Sequence, residues 1–346
     1  MSPLIWTTLI ASLTTSTVII MTSHHWLLAW LALELNTLSI LPMIMRSNHP
    51  RTTEAATKYF LIQTTAATLI LLASTVNAWQ TGSWNIMQSF SPIATTITTT
   101  AIMMKLAVAP AHLWYPEVLQ GTTMTTALII STWQKIAPLT LLYLLINHLP
   151  TNTMLLLGLT SALLGGWTGL NQTQTRKIMA FSSISHMGWL ITALCLSPSL
   201  TTLTMITYMT MTTTMFLSLT TSSSKTLLDL GTSWTHSPIL LMTTMLALLS
   251  LAGLPPLTGF MPKLLILKEL TTTKLLALGT LLALTSLPSL AFYTRMAYLS
   301  ALTIPPNTTN SEYKWRFKTT MSSLTPTTAL LTTLTLPMAP LLYLTT

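Results

Sequence analysis

The chain has 346 residues, of which half are hydrophobic and only 6% are Asp, Glu, Lys or Arg, and its mean hydropathy is +0.62; a soluble domain carries about a quarter charged residues, so water is excluded as the main solvent. The net charge of +9 does not point to nucleic acid, because Lys and Arg are scattered or sit in loops with no basic stripe interleaved with aromatics. A single cysteine, Cys195, excludes an intramolecular disulfide framework and any Cys-ligated metal or iron–sulfur site, and reads as a small buried hydrophobe.

The opening MSPLIWTTLIAS has neither the basic region and cleavage site of a secretory signal nor the Arg-rich character of a transit peptide, so nothing is expected to be removed. Apolar stretches of about 20 residues, enough to cross a hydrocarbon core roughly 30 Å thick, then recur to the end. They predict an all-α polytopic membrane protein of about eleven transmembrane helices, near 3–21, 25–45, 55–78, 92–119, 124–147, 151–171, 174–196, 200–221, 237–269, 274–299 and 324–343. The fourth and ninth runs are too long for one helix. Each carries Pro or Gly, Ala109-Pro110 in one and Gly253, Pro255, Pro256 and Gly259 in the other, so both are expected to be broken helices.

Loop charge gives an orientation. The loops after the second, sixth, eighth and tenth runs hold Arg46, Arg51 and Lys58, then Arg176 and Lys177, then Lys225, then Lys314, Arg316 and Lys318. Residues 79–91, 148–150 and 197–199 hold no Lys or Arg, and Lys268 and Lys274 alone break the pattern. The positive-inside rule then places the N-terminus inside and the C-terminus outside. The broken helix is fourth in each set of five, so the chain reads as one transmembrane domain (1–346) of two inverted five-helix repeats, 1–147 and 151–299, followed by a loop and final helix, 300–346. Such repeats with discontinuous helices at matching positions build ion transporters.

Four charges fall well inside the runs, more than four residues from either end: Glu34 in LALELNTL, Lys105 in AIMMKLAV, Lys135 in STWQKIAP and Lys263 in GFMPKLL. A central Lys or Asp costs roughly 3 kcal/mol on insertion scales, and such residues usually mark an ion or proton route. The plainer reading is an ion pair of Glu34 with one lysine, or lysines snorkelling to the surface. One acid cannot neutralise three lysines, and Lys135 is too deep to snorkel. Burial favours the neutral amine and a nearby carboxylate favours the ammonium, so making or opening a Glu34–Lys105 pair loads or releases a proton. His112 and His186 are candidate relays, the second beside Ser182, Ser183 and Ser185, which can hold a water chain; each also fits a hydrogen-bonded core residue. His24, His25, His49, His148 and His236 lie at run ends. No GxGxxG and no GxxxxGK[ST] is present, and no bis-His spacing suggests haem.

The runs WLALELN (30–36), RTTEAATKYFLIQTTAA (51–67), KLAVAPAHLWYPEVLQG (105–121), TWQKIAP (132–138), GGWTGLNQTQTRKIMAFSSISHMGW (165–189) and AGLPPLTGFMPK (252–263) resemble the vertebrate chain 2 family of mitochondrial NADH-ubiquinone oxidoreductase, among the antiporter-like subunits of respiratory complex I. The resemblance implies a core subunit of the membrane arm that translocates protons, with Glu34 and Lys105 as the coupled acid–lysine pair, Lys135 as the central relay and Lys263 on the way to the outer exit. It implies the mitochondrial inner membrane, N-terminus in the matrix and C-terminus in the intermembrane space. Implied partners are other membrane-arm subunits, NADH dehydrogenase subunits 4L and 4 among them, accessory subunits and lipids including cardiolipin. NADH, FMN, iron–sulfur clusters and ubiquinone are implied in other subunits, with no cofactor on this chain. Bacterial relatives are implied to carry three more N-terminal helices. Ala111 departs from the larger apolar residue common in relatives, which changes what packs around His112, and the tail after about residue 300 follows only a loose pattern. A free-standing cation/proton antiporter and a scaffold without its own proton path are the alternatives.

Overall fold

A computed structural model describes residues 2–47, 49–88, 91–231, 233, 237–301 and 324–334, and among these every regular element is helical. Helices fall on each predicted run: α1 (Pro3–Thr22), α2 (Trp26–Ile44), α3 (Pro50–Thr81), α4 (Pro92–Leu106), α5 (Trp114–Gly121), α6 (Met124–Ser131), α7 (Ile136–Leu144), α8 (Thr151–Gly169), α9 (Thr175–Leu196), α10 (Pro198–Ser222), α11 (Leu227–Gly231), α12 (Pro238–Ala252), α13 (Phe260–Thr272), α14 (Leu276–Ala301) and α15 (Leu324–Leu334). Six of the described helical stretches are long and apolar enough to cross a membrane. Residues 335–343 of the last predicted run, His236 and the basic cluster Lys314, Arg316 and Lys318 lie outside the described residues.

Local chemistry explains where these helices start. Ser2, Ser91 and Ser237 each cap a helix with the hydroxyl accepting a backbone N–H, and Pro follows at the first helical position, where its missing N–H costs nothing. His25 and His49 cap α2 and α3 in the same way. Threonine is tolerated inside the apolar helices because its hydroxyl donates to the carbonyl three residues earlier, as in Thr98 to Thr95, Thr204 to Thr201 and Thr285 to Leu282. Arg51 and Lys58, expected in a loop, lie in the first turns of α3, because His49 caps that helix before Pro50.

Both predicted breaks are present, at residues 107–113 and 253–259. They share a local geometry. The first ends α4 on Ala107 at φ 58°, whose N–H bonds the Met103 and Met104 carbonyls, and the second ends α12 on Gly253 at φ 83°, whose N–H bonds the Leu249 and Ser250 carbonyls. Left-handed residues at this position close off the terminal carbonyls of a helix. Gly259 completes the second break, where a Cβ would collide with the Ser250 carbonyl.

One predicted run departs from expectation. The stretch 124–147 is interrupted by a short 3₁₀ turn, Trp133–Lys135, between α6 and α7. Pro138 supplies the reason: it has no N–H for the carbonyl of Gln134, and its ring crowds that carbonyl.

The chain divides into two compact units, Met1–Leu157 and Gly158–Thr346. In the first, α2 packs on α1 and α3, and α3 packs on α4 and α5. In the second, α9 packs against α10, α13 and α14, and α12 against α10, α14 and α15. Of the α9 span, 89% is buried, against 22% of α1, so α9 is an interior helix rather than an amphipathic surface one. Its Trp189 and Ala193 form a buried cluster with Ala162, Leu200, Ile266, Leu270 and Leu282.

Candidate functional site

In the first unit, Lys105 occupies the last turn of α4, 7% exposed, and its ammonium donates to the Gln63 backbone carbonyl at 3.4 Å. Placing a cation there satisfies the negative end of the α4 dipole as well as the carbonyl on α3. Lys135 ends the 3₁₀ turn, 3% exposed, with its ammonium 5.1 Å from the centre of the Tyr115 ring. The electron-rich face of an aromatic ring holds a desolvated cation without adding a fixed negative charge.

The two lysines line one cavity of about 20 Å³, and no carboxylate is among its lining residues. That volume admits a water molecule. Glu34, by contrast, is half-buried in mid-α2 and is within electrostatic range of Lys105, but the two form no ion pair in contact. The Thr37 hydroxyl donates to the Glu34 carbonyl at 2.8 Å and reaches its carboxylate at 3.3 Å. The ion pairs among the described residues join Lys58 to Glu54 and Glu117, at the start of α3 and on α5.

His112 lies in the first break, 5% exposed, with its ring Nδ1 3.2 Å from the Pro110 carbonyl, and it does not line the cavity. In the second unit, Lys263 sits just past the second break. Its ammonium donates to the Ala252 carbonyl at 2.9 Å and lies 5.9 Å from the Trp189 ring. Lys263 and His186 line a second cavity, also of about 20 Å³. The Tyr293 hydroxyl is 3.4 Å from Nε2 of His186, and the Tyr208 ring is 5.7 Å from the imidazole. Ser182, Ser183 and Ser185 donate to the carbonyls of Met179, Ala180 and Ser182, so their protons are directed into α9.

Sequence reasoning passed over Asn36, Tyr59, Gln134 and the aromatic partners Tyr115, Trp189 and Tyr293. A signal existed for two of them. Asn36 and Gln134 are amides inside apolar runs, one two residues after Glu34 and the other directly before Lys135.

The chain has relatives among known proteins. The family model described as NADH:quinone oxidoreductase/Mrp antiporter, TM, matches residues 23–288, and that of the NADH dehydrogenase subunit 2 C-terminus matches residues 290–343. NADH-ubiquinone oxidoreductase chain 2 of Carassius auratus is 51% identical over 100% of both chains, and that of Gallus gallus is 50% identical over 96% of each. The chain belongs to the NADH-ubiquinone oxidoreductase chain 2 family. As a member of that family it is a multi-pass membrane protein. The family fold is that of a chain in the structure of respiratory complex I from Thermus thermophilus, with TM-score 0.83 and 24% identity, covering 97% of this chain and 76% of that one. A chain in the structure of the Mrp complex from Dietzia sp. DQ12-45-1b has the same fold, with TM-score 0.81 and 15% identity, covering 97% and 76%.

Proposed function

We propose that this chain is a core membrane subunit of proton-pumping NADH:ubiquinone oxidoreductase, in the mitochondrial inner membrane, and that it carries protons through Glu34, Lys105, Lys135 and Lys263. The observation that carries this reading is the cavity shared by Lys105 and Lys135, two buried residues that line one water-sized space with no carboxylate among its lining residues. Lys105 donates to a backbone carbonyl, and the Lys135 ammonium lies over an aromatic face. Such holders let the proton leave without stranding a buried counter-charge. The names of the relatives support a place in an oxidoreductase complex.

On this reading the redox chemistry of NADH and ubiquinone takes place in other subunits. Glu34 acts on Lys105 through space, Lys105 shifts its proton toward Lys135, and Lys263 passes one outward. His112 and His186 are the candidate relays in the same chemistry, and the His186–Tyr293 contact favours the second. The basic loops support a matrix-facing N-terminus, and the two broken helices of like geometry support a repeated architecture. Moving one charge across the membrane costs about 2.3 kcal/mol per 100 mV, so the drive comes from the redox modules.

The test is Lys135→Met in the assembled enzyme, which is expected to leave assembly intact and lower the proton-to-electron ratio. An unchanged ratio overturns the relay role. A free-standing antiporter is the second reading, favoured by the likeness to the Mrp complex chain. It predicts a chain that survives purification alone and responds to sodium, whereas a subunit comes out with many partners.

A further inference from the structure

The cavity that Lys105 and Lys135 line is also lined by a polar array of two amides and a tyrosine. Nε2 of Gln134 donates to Oδ1 of Asn36 at 2.9 Å, and the Tyr59 hydroxyl lies 3.5 Å from Oε1 of Gln134. All three residues line the cavity. Asn36 is 2% exposed on α2, Tyr59 is 2% exposed on α3, and Gln134 is in the 3₁₀ turn beside Lys135. The bond spans 98 residues of sequence, so it ties α2, which also carries Glu34, to the turn that aims Lys135.

The backbone bonds of that turn are local, Thr132 N–H to the Leu128 carbonyl and Lys135 N–H to the Thr132 carbonyl. Pro138 cannot donate to the Gln134 carbonyl, and the backbone leaves the helical path at Thr132, with φ −109° and ψ −71°. Where the regular ladder is interrupted, a side chain bonded to a neighbouring helix adds an anchor from outside the turn. Trp114, which also lines the cavity, has a buried indole N–H with no acceptor among the described residues. A water beside the amide array would satisfy that donor, since a buried water needs two to four polar partners.

We propose that Asn36 and Gln134 are a positioning pair, whose hydrogen bond holds the Lys135 turn against α2 so that Lys135 and Lys105 face one water-sized site. Neither amide carries a proton itself. Their work is orientation, because proton transfer through a single water falls away when donor and acceptor leave hydrogen-bond reach. This rests on the reading that Lys105 and Lys135 are proton carriers. The titratable groups facing the array are Lys105, Lys135, Tyr59 and Tyr115, all on the cavity wall.

The experiment uses the assembled enzyme in sealed inner-membrane vesicles, with NADH-driven proton uptake and NADH oxidation measured together across a pH series. Gln134→Met and Asn36→Leu keep side-chain bulk and remove the bond. Each is expected to slow proton uptake about fivefold, the scale of one uncharged hydrogen bond, and to displace its pH profile. The exchanged pair, Asn36→Gln with Gln134→Asn, keeps one amide on each side and is expected to restore most of the rate. Wild-type uptake and pH profile in assembled Gln134→Met and Asn36→Leu enzymes overturn the proposal. Loss of assembly in both also overturns it, since it assigns the pair to folding alone. Lys135→Met run in parallel separates the two readings: if it pumps normally the relay itself fails, whereas if it is defective and the amide variants are not, the positioning pair alone fails.

Discussion

The Lys263 ammonium donates a 2.9 Å hydrogen bond to the carbonyl oxygen of Ala252, the last residue of α12. The C-terminal end of a helix carries about half a negative charge, so this lysine closes the end of the broken helix with a cation. One side chain thus serves both the fold and the proposed proton route. Substitution can separate the two roles, because an arginine keeps a positive donor and cannot give up its proton.

Lys263→Arg is therefore expected to assemble and retain the cap while losing proton uptake. Lys263→Met is expected to lose both, with α12 weakened by about 1 kcal/mol, the scale of a hydrogen bond between membrane helices. Amide exchange over 249–252 reads the cap, and vesicle proton uptake reads the route. Normal uptake in the Arg variant rejects the proton-carrying role of Lys263.

Gly253 stands at φ 83°, and a Cβ built there would lie 3.0 Å from the Lys263 ammonium nitrogen. Gly253→Ala is expected to cost about 1–2 kcal/mol from the left-handed backbone, with a further displacement of Lys263. Gly253→Asn should be milder in backbone cost, because Asn tolerates this region. Hydrogen exchange at the end of α12 measures the difference, and equal protection in the Ala variant and the parent contradicts it.

Asp229 and Thr226 form a reciprocal cap at the start of α11. The Thr226 N–H donates to the Asp229 carboxylate at 2.8 Å, the Lys225 N–H donates to it at 3.0 Å, and the Asp229 N–H reaches the Thr226 hydroxyl at 3.3 Å. Burial pushes the carboxyl up, but the two backbone donors, with the Thr226 hydroxyl and the Lys225 charge, outweigh it and hold the group below its ordinary value of 3.8. A depressed carboxylate stabilises the fold above the unfolded value and loses that contribution as pH falls through the folded value. Protection of the Lys225 and Thr226 amides is therefore expected to be constant above about pH 4 and to fall only below 3.8. In Asp229→Asn the acid-dependent step should vanish; a step that persists refutes the assignment.

Lys58 bridges Glu54 on its own helix and Glu117 on α5, with side chains 39%, 60% and 54% exposed. Pairs this open are solvated and screened by salt, and contribute little to stability. Lys58→Ala is expected to leave the melting temperature of the assembled enzyme within error at physiological salt. A large loss would mean that a partner subunit covers the pair.

The element positions were legible in sequence because membrane solvation is a local property. A run of apolar residues announces a helix wherever it falls, and Pro or Gly inside such a run announces a break. The interruption at Trp133–Lys135 was missed because Pro138 sits past the deviation it causes, inside a run whose hydropathy never dips. The buried lysines were legible for a similar reason, since a charge in an apolar run is rare and visible without any neighbour. Their holders were not, because the Gln63 carbonyl, the Tyr115 ring and the Ala252 carbonyl are ordinary groups in sequence.

By itself the sequence determined that this chain is helical, lives in a membrane, and carries Lys105, Lys135 and Lys263 inside its apolar runs. Only the tertiary structure decided that Lys105 and Lys135 share a cavity, that Glu34 stands outside it, and that Asn36 reaches Gln134 across 98 residues. The physical reason is range. Hydropathy and helix breaking are set by residues a few positions apart, whereas a side chain's partner is set by packing between helices, which no local pattern encodes.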